Sequence, residues 1–249
     1  MNIVLVGYGR MGKAVEEAAV QRGHTVTAKV DPLTDGPLTF RELTPEILKQ
    51  SDAVIEFALP QGIETNTRLY AEYAIPAVIG TTGWENKRDS VASLVKEKNG
   101  SVLWGNNFSV GAHLLFRLTA EAAQLIENLT DYDIMVHEIH HKMKKDSPSG
   151  TALTLAEKIL QNNRRKSVIQ TGTLDRMILP EELHVVGIRG GSVPGVHTVT
   201  VDGPHDTIEL THTARNRCGF AVGSVMAAEW LINKKGFFRV EDFINDLFK

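Results

Sequence analysis

The sequence predicts an α/β protein: a doubly wound parallel sheet of the Rossmann type, followed by a second α+β domain. Three observations predict it. The first hundred residues alternate short β-rich runs with helical apolar spacing, as parallel strands joined by crossover helices do. A Gly-x-Gly-x-x-Gly turn, Gly7-Tyr8-Gly9-Arg10-Met11-Gly12, stands directly after the first of these runs. Later strands instead alternate apolar with polar positions, as in an open sheet with one covered face.

In chain order, Ile3 to Val6, Thr25 to Val30, Ala53 to Phe57, Ala77 to Ile79 and Val102 to Trp104 read as strands. Met11, Val15, Ala18 and Ala19 recur at helical spacing between the first two, and Val91, Leu94 and Val95 do so before the fifth. A long helical stretch runs from Ala112 to Ile126. After it, Asp133 to Val136, His184 to Ile188, Thr198 to Val201 and Thr207 to Thr211 read as strands, with His197, Val199 and Val201 on one face and Thr198, Thr200 and Asp202 on the other. Past Arg217 two helical patterns return, the second carrying Val240, Phe243, Ile244, Leu247 and Phe248, and they are expected to pack back on the first domain. The expected division is therefore residues 1–108 with 217–249 as a dinucleotide-binding domain, and 109–216 as a substrate-binding and oligomerisation domain.

With 249 residues, 42% hydrophobic and 23% charged, the chain has the composition of a soluble globular protein. A net charge of -3 gives no general attraction to nucleic acid or to an anionic membrane, so an anionic ligand must be met by a local cluster. There is no basic arm or helix-turn-helix pattern. The lone Cys218 excludes an intramolecular disulfide and fits a reducing compartment. No signal-peptide pattern and no membrane-length apolar run is present, so the expected location is cytoplasmic.

In the glycine turn, small residues let backbone N–H groups approach a pyrophosphate at a helix N-terminus. Asp31, 19 residues past Gly12 at the end of the second strand, is placed to accept hydrogen bonds from an adenosine ribose. Gly80-Thr81-Thr82-Gly83 and Gly105-Asn106-Asn107-Phe108-Ser109 follow two further strands at the same edge; each reads either as a contact for the nicotinamide half or as a plain capped turn.

The densest chemistry lies in Glu138-Ile139-His140-His141-Lys142-Met143-Lys144-Lys145-Asp146-Ser147-Pro148-Ser149-Gly150-Thr151. Histidines and lysines end a strand, and a helix signalled by Ala152, Leu155, Ala156, Ile159 and Leu160 begins after Ser149, so the segment suits a small dianion. His137, His140, His141 and Glu138 offer metal-ligand types, but they lack zinc-protease spacing, and no metal is expected. A sensor that binds NADH without consuming it is the competing class, separable by turnover.

Several separated motifs together resemble the dihydrodipicolinate reductase family from Ile3 nearly to Phe248: Gly-x-Gly-Arg-Met-Gly at 7–12, Phe57-Ala58-Leu59-Pro60, Gly-Thr-Thr-Gly at 80–83, Asn107 to Gly111, and His-His…Lys…Pro-Ser-Gly-Thr-Ala-Leu at 140–153. The resemblance implies reduction of 4-hydroxy-tetrahydrodipicolinate, a small dicarboxylate, with NADH or NADPH in lysine and diaminopimelate biosynthesis, by a homotetramer. It implies His140 as the acid/base group and Lys144 as proton donor. Substrate contacts fall on His141, Ser149, Gly150 and Thr151. Cofactor contacts fall on Gly7, Tyr8, Gly9, Arg10, Met11, Gly12, Asp31, Gly80, Thr81, Thr82, Gly105, Asn106, Asn107 and Phe108. The chain departs from the family pattern in a glycine loop one residue shorter, in Ala58 where a hydroxyl residue is usual, and in Met143 where some members carry a histidine.

Overall fold

A computed structural model describes residues 1–249, which divide into two compact units, Met1–Val110 with Arg217–Lys249, and Gly111–Asn216. The chain runs β1 (Asn2–Val6), α1 (Arg10–Gln21), β2 (Thr25–Val30), β3 (Thr39–Phe40), α2 (Pro45–Leu48), β4 (Ala53–Glu56), α3 (Ile63–Glu72), β5 (Ala77–Ile79), α4 (Arg88–Glu97) and β6 (Ser101–Trp104). It continues through α5 (Val110–Leu125), β7 (Asp133–His140), α6 (Gly150–Asn162), β8 (Val168–Gln170), β9 (Glu182–Arg189), β10 (Val196–Asp202) and β11 (Thr207–Thr213), and ends with α7 (Cys218–Leu231), β12 (Gly236–Arg239) and α8 (Val240–Leu247).

In the first unit seven parallel strands lie in the order β12-β6-β5-β4-β1-β2-β3. The central strands are buried on both faces, which is why they read as unbroken apolar runs. Ile3, Leu5 and Ile55 face a core shared with Val15, Ala18 and Ala19 of α1, Ala221, Val225 and Ala228 of α7, and Phe243 of α8. Val4, Val6 and Val54 face the other layer, with Ile63 and Tyr70 of α3 and Val91 and Val95 of α4. Each such fully buried aliphatic side chain stabilises the unit by about 1.5–3 kcal/mol. The winding reverses between β1 and β4, the place where open α/β sheets hold ligands at the carboxyl ends of their strands.

Glu56 ends β4 fully buried, with Asn66 Nδ2 donating to Oε1 and Tyr70 Oη to Oε2, both at 2.8 Å. Burial pushes its carboxyl up to about 7, against the opposing effect of the two hydrogen bonds. The folded state therefore keeps the proton to a higher pH than the unfolded chain, so this group's contribution to stability falls as pH rises from the ordinary glutamate range to about 7. Glu56→Gln, nearly isosteric, should match the parent in thermal melts at low pH and exceed it above neutrality, by up to about 3 kcal/mol. A constant difference in Tm across that range would show that Glu56 titrates normally.

The second unit is a mixed five-stranded sheet, β11-β10-β7-β9-β8, in which β7 pairs antiparallel with β10 and parallel with β9. Its core joins Ala112, Leu115 and Phe116 of α5 and Leu155, Ala156 and Ile159 of α6 to Ile134, Val136, Val185, Val199 and Val201. The alternation picks out this inward face correctly: Val199 and Val201 are 0% and 2% exposed. No helix is long and apolar enough to cross a membrane.

Candidate active site

The glycine turn follows β1 with no room to spare. Gly7 has φ +87°, and a Cβ there would come within 2.3 Å of the Phe57 carbonyl oxygen; one on Gly12 would come within 2.3 Å of the Gly7 oxygen. Gly9, the N-cap of α1, has open space instead, leaving its surface to a ligand. Asp31 ties the turn to β2: its Oδ2 accepts from Tyr8 N at 2.8 Å, and its Oδ1 from Leu33 N at 2.9 Å and Thr34 Oγ1 at 3.2 Å. Partial burial raises its pKa, but these N–H and O–H donors outweigh that and hold it below the usual aspartate range, so the residue is a carboxylate at neutral pH. Tyr8 leans on Lys29, whose Nζ lies 4.8 Å from the ring centroid, and both bond Glu16. Arg10 is exposed at the first position of α1, and Met11 packs on the core below.

The other predicted cofactor loops lie in the same unit. Gly80 is compelled by Phe57, whose ring would come within 2.0 Å of a Cβ. Thr81 is buried, and its hydroxyl accepts from Ala58 N at 3.0 Å and donates to Ala58 O at 3.1 Å. A hydroxyl from the next turn thus braces the backbone at Ala58, which has none of its own. Thr82 and Asn106 are exposed, Asn107 is half-buried with its Oδ1 accepting from Ser109 N at 2.9 Å, and Phe108 packs edge-on against Phe57. Gly105 abuts Val240, which a Cβ would meet at 2.6 Å. A cradle that Cβ atoms would fill, beside a helix N-terminus and an ionised carboxylate, fits a dinucleotide.

In the second unit, β7 carries Glu138 and His140 on the same face as Ile134 and Val136, and both are buried, at 0% and 7% exposure. The carboxylate of Glu138 is surrounded by donors. Oε1 accepts from Arg189 Nη2 at 2.7 Å and Ser149 N at 2.8 Å; the Ser149 hydroxyl donates to Oε2, and His197 Nε2 lies 3.3 Å from the same oxygen. Burial pushes this carboxyl up, but the bonds from His197, Ser149 and Arg189 prevail and hold it far below the usual glutamate range. His140 Nδ1 approaches Oε2 to 3.1 Å. For His140, burial is the largest influence; with the positive charges of His197, Lys144 and Arg189 acting in the same direction, it outweighs the upward pull of Glu138 and lowers the pKa to about 4. The ring is therefore neutral at physiological pH.

The loop after β7 is fastened to the 190–193 segment by His141 N to Val193 O at 2.8 Å and Gly190 N to His140 O at 2.9 Å. Lys144 is half-buried and its Nζ holds Asp146 at 2.9 Å. Ser149 caps α6, its Oγ accepting from Ala152 N at 3.3 Å, so the predicted cap is observed, but its side chain faces Glu138 and is 2% exposed. Gly150 and Thr151 form the open first turn, where backbone N–H groups are available to an anion.

Of the histidines weighed for a metal, His137 lies on the opposite face of β7 and His141 beyond its end; Glu138 and His140 are joined instead by His197, with ligand-type atoms within 4.8 Å of one another. Both oxygens of that carboxylate accept from Arg189 or Ser149. The sequence singles out neither Arg189 nor His197 as a site residue, and Glu138 only as a rejected metal ligand. A glutamate in phase with Ile134 and Val136, and a histidine in phase with Val199 and Val201, were the signal.

Comparison with known proteins covers the whole chain. The family model for the N-terminus of dihydrodipicolinate reductase matches residues 1–108, and that for its C-terminus matches residues 111–244. The 4-hydroxy-tetrahydrodipicolinate reductase of Christiangramia forsetii is 39% identical over 250 aligned residues, covering 100% of both chains. The reductase of Natronomonas pharaonis is 35% identical, covering 98% of this chain and 100% of its own. A dipicolinate-bound dihydrodipicolinate reductase from Paenisporosarcina sp. TG-14 shares the fold, with a TM-score of 0.77 at 19% identity over 96% of this chain and 97% of that one.

Proposed function

The chain belongs to the dihydrodipicolinate reductase family, and on that footing we propose the division of labour within its site. The reaction is reduction of 4-hydroxy-tetrahydrodipicolinate to tetrahydrodipicolinate in lysine and diaminopimelate biosynthesis, consuming NAD(P)H and a proton and releasing NAD(P)⁺ and water. NADH or NADPH, when bound, supplies the hydride. Gly7 to Gly12 hold its pyrophosphate and Asp31 its adenosine ribose; Tyr8, Arg10 and Met11 shape the turn, and the Gly80–Thr82 and Gly105–Phe108 loops border the nicotinamide.

His140 and Lys144 are the catalytic residues. A neutral imidazole at pH 7 can accept a ring proton as the 4-hydroxyl is lost and return it to the ring as reduction completes, while the Lys144 ammonium protonates the departing hydroxide to give water. His141 and the backbone of Gly150 and Thr151 take the substrate carboxylates. The observation that carries this assignment is the Glu138–Ser149 bridge, which fixes the end of β7 bearing His140 to the start of α6 bearing Gly150 and Thr151. Its test is turnover: freshly made 4-hydroxy-tetrahydrodipicolinate should discharge reduced-nicotinamide absorbance, whereas a sensor would bind cofactor and leave the absorbance unchanged.

The protein works as a cytoplasmic homotetramer assembled through the second unit. The face of its sheet away from α5 and α6 supports this, because it leaves Met135 and Ile188 38% and 50% exposed. Light scattering at micromolar protein should give four subunits. A fully active monomer at every concentration would refute the assembly.

A further inference from the structure

The buried carboxylate in the second unit has more connections than structural support requires. Cross-strand register places His212, His197 and Glu138 in one row over β11, β10 and β7, with Gly187 of β9 completing it. Gly187 is a glycine for a steric reason: a Cβ there would lie 2.5 Å from Ser147 Oγ, 2.9 Å from Glu138 Oε1 and 3.1 Å from Arg189 Nη1. The row has been emptied at one place to admit the carboxylate and its guanidinium. His140 stands beside it, its ring centroid 5.0 Å from that of His197. Its Nδ1 is buried and makes no aligned hydrogen bond, and the charged oxygen Glu138 Oε2 stands 3.1 Å from it. The opposite nitrogen, Nε2, lies against Gly195, where a Cβ would approach within 2.9 Å; glycine leaves it clear.

A neutral imidazole carries one proton, and its choice of nitrogen follows the hydrogen bond made by the other. An acceptor-only carboxylate beside Nδ1 favours the proton there. We propose that Glu138, held by Arg189, Ser149 and His197, is a positioning residue that keeps the proton of His140 on Nδ1 and so leaves Nε2 as the atom that exchanges protons with substrate. The charged and titratable groups facing this pair are Arg189 from β9, His197 and beyond it His212 from the antiparallel strands, and Lys144 from the loop after β7. When Nε2 accepts a proton the imidazolium forms beside a carboxylate, and when it gives the proton back the Nδ1–H tautomer is restored; no redox change occurs at either residue. The same logic orients the histidine in Ser-His-Asp sites.

This inference rests on His140 being the acid/base group, and the experiment separates the two claims. Nitrogen-15 spectra of histidine-labelled wild-type protein near neutral pH, with His140 assigned by its loss in His140→Asn, should show Nδ1 protonated and Nε2 bare. In Glu138→Gln the two nitrogens should move toward a tautomer mixture, kcat should fall by roughly 10²-fold, and the dissociation constant of NADH should stay at the parent value. An Nε2–H tautomer in the wild type overturns the proposal without any variant having to fold. So does a Glu138→Gln protein with parental kcat and parental His140 shifts. If His140→Asn itself keeps parental kcat, the catalytic assignment has failed first. Cobalt(II) titration supplies the remaining arm: no visible ligand-field bands are expected, and one tightly bound equivalent with tetrahedral bands would mean that Glu138, His140 and His197 are metal ligands, contrary to the proposal.

Discussion

Replacing His140 by alanine is expected to lower kcat by roughly 10²-fold or more while leaving NADH affinity unchanged, and Lys144→Ala should do the same. Both residues belong to the second unit, whereas the glycine cradle and Asp31 belong to the first, so a binding defect is not the anticipated result. The double variant should lose less than the product of the single losses, since the two groups act together on one substrate ring. The pH profile adds a separate check. Because burial holds His140 near 4, its working base form persists throughout the neutral range, and kcat/KM should show a limb from this group only as pH falls toward about 4. Stopped-flow and steady-state measurements on the single variants would decide the matter; parental kcat in both would remove these residues from the chemistry.

The second large effect is expected at Gly7. Alanine there must adopt φ +87°, costing about 1–2 kcal/mol, and must place a methyl 2.3 Å from the Phe57 carbonyl, so backbone has to move. Overpacking adds about 1–3 kcal/mol, which together should lower Tm by roughly 5–15 °C. NADH binding should be lost along with the turn geometry. Gly9→Ala is the informative contrast: its Cβ meets nothing within 4 Å, so Tm should be parental while cofactor affinity falls because the methyl occupies the pyrophosphate approach. Thermal melts and fluorescence titration of NADH test both. Equal stability of Gly7→Ala and its parent would show that the turn is not as tight as described.

The parallel sheet was legible because its strands are buried on both faces and the first of them ends in the glycine turn, so local composition and tertiary role agree. The apolar pattern marks β7 only as far as Val136, whereas the strand continues to His140. His137, Glu138 and His140 do not look like strand residues in isolation; hydrogen bonds to β9 and β10 extend the strand through them. β12 was missed for a related reason: Gly236-Phe237-Phe238-Arg239 is a short run between two helices, and its partner β6 lies more than a hundred residues earlier. Site residues contiguous in sequence, such as His140 to Thr151, were found as a block. Arg189 and His197 come from two other strands, and only the sheet register brings them to Glu138.

The late arrival of β12 bears on how the chain is made. The first unit is interrupted by the second, and its seventh strand, together with α7 and α8, comes from the last 33 residues, Arg217–Lys249. Ala221, Val225, Leu231 and Phe243 from this segment lie in the core against β1, β4 and α1. A nascent chain leaving the ribosome therefore exposes one apolar face of its nucleotide-binding sheet until residues 217–249 emerge, while the uninterrupted second unit already possesses all of its own core. Folding order follows from connectivity: the inserted unit can close first, and the N-terminal strands wait for the C-terminus. Trimming the chain at Asn216 should leave the first unit a substrate for proteases and chaperones while sparing the second.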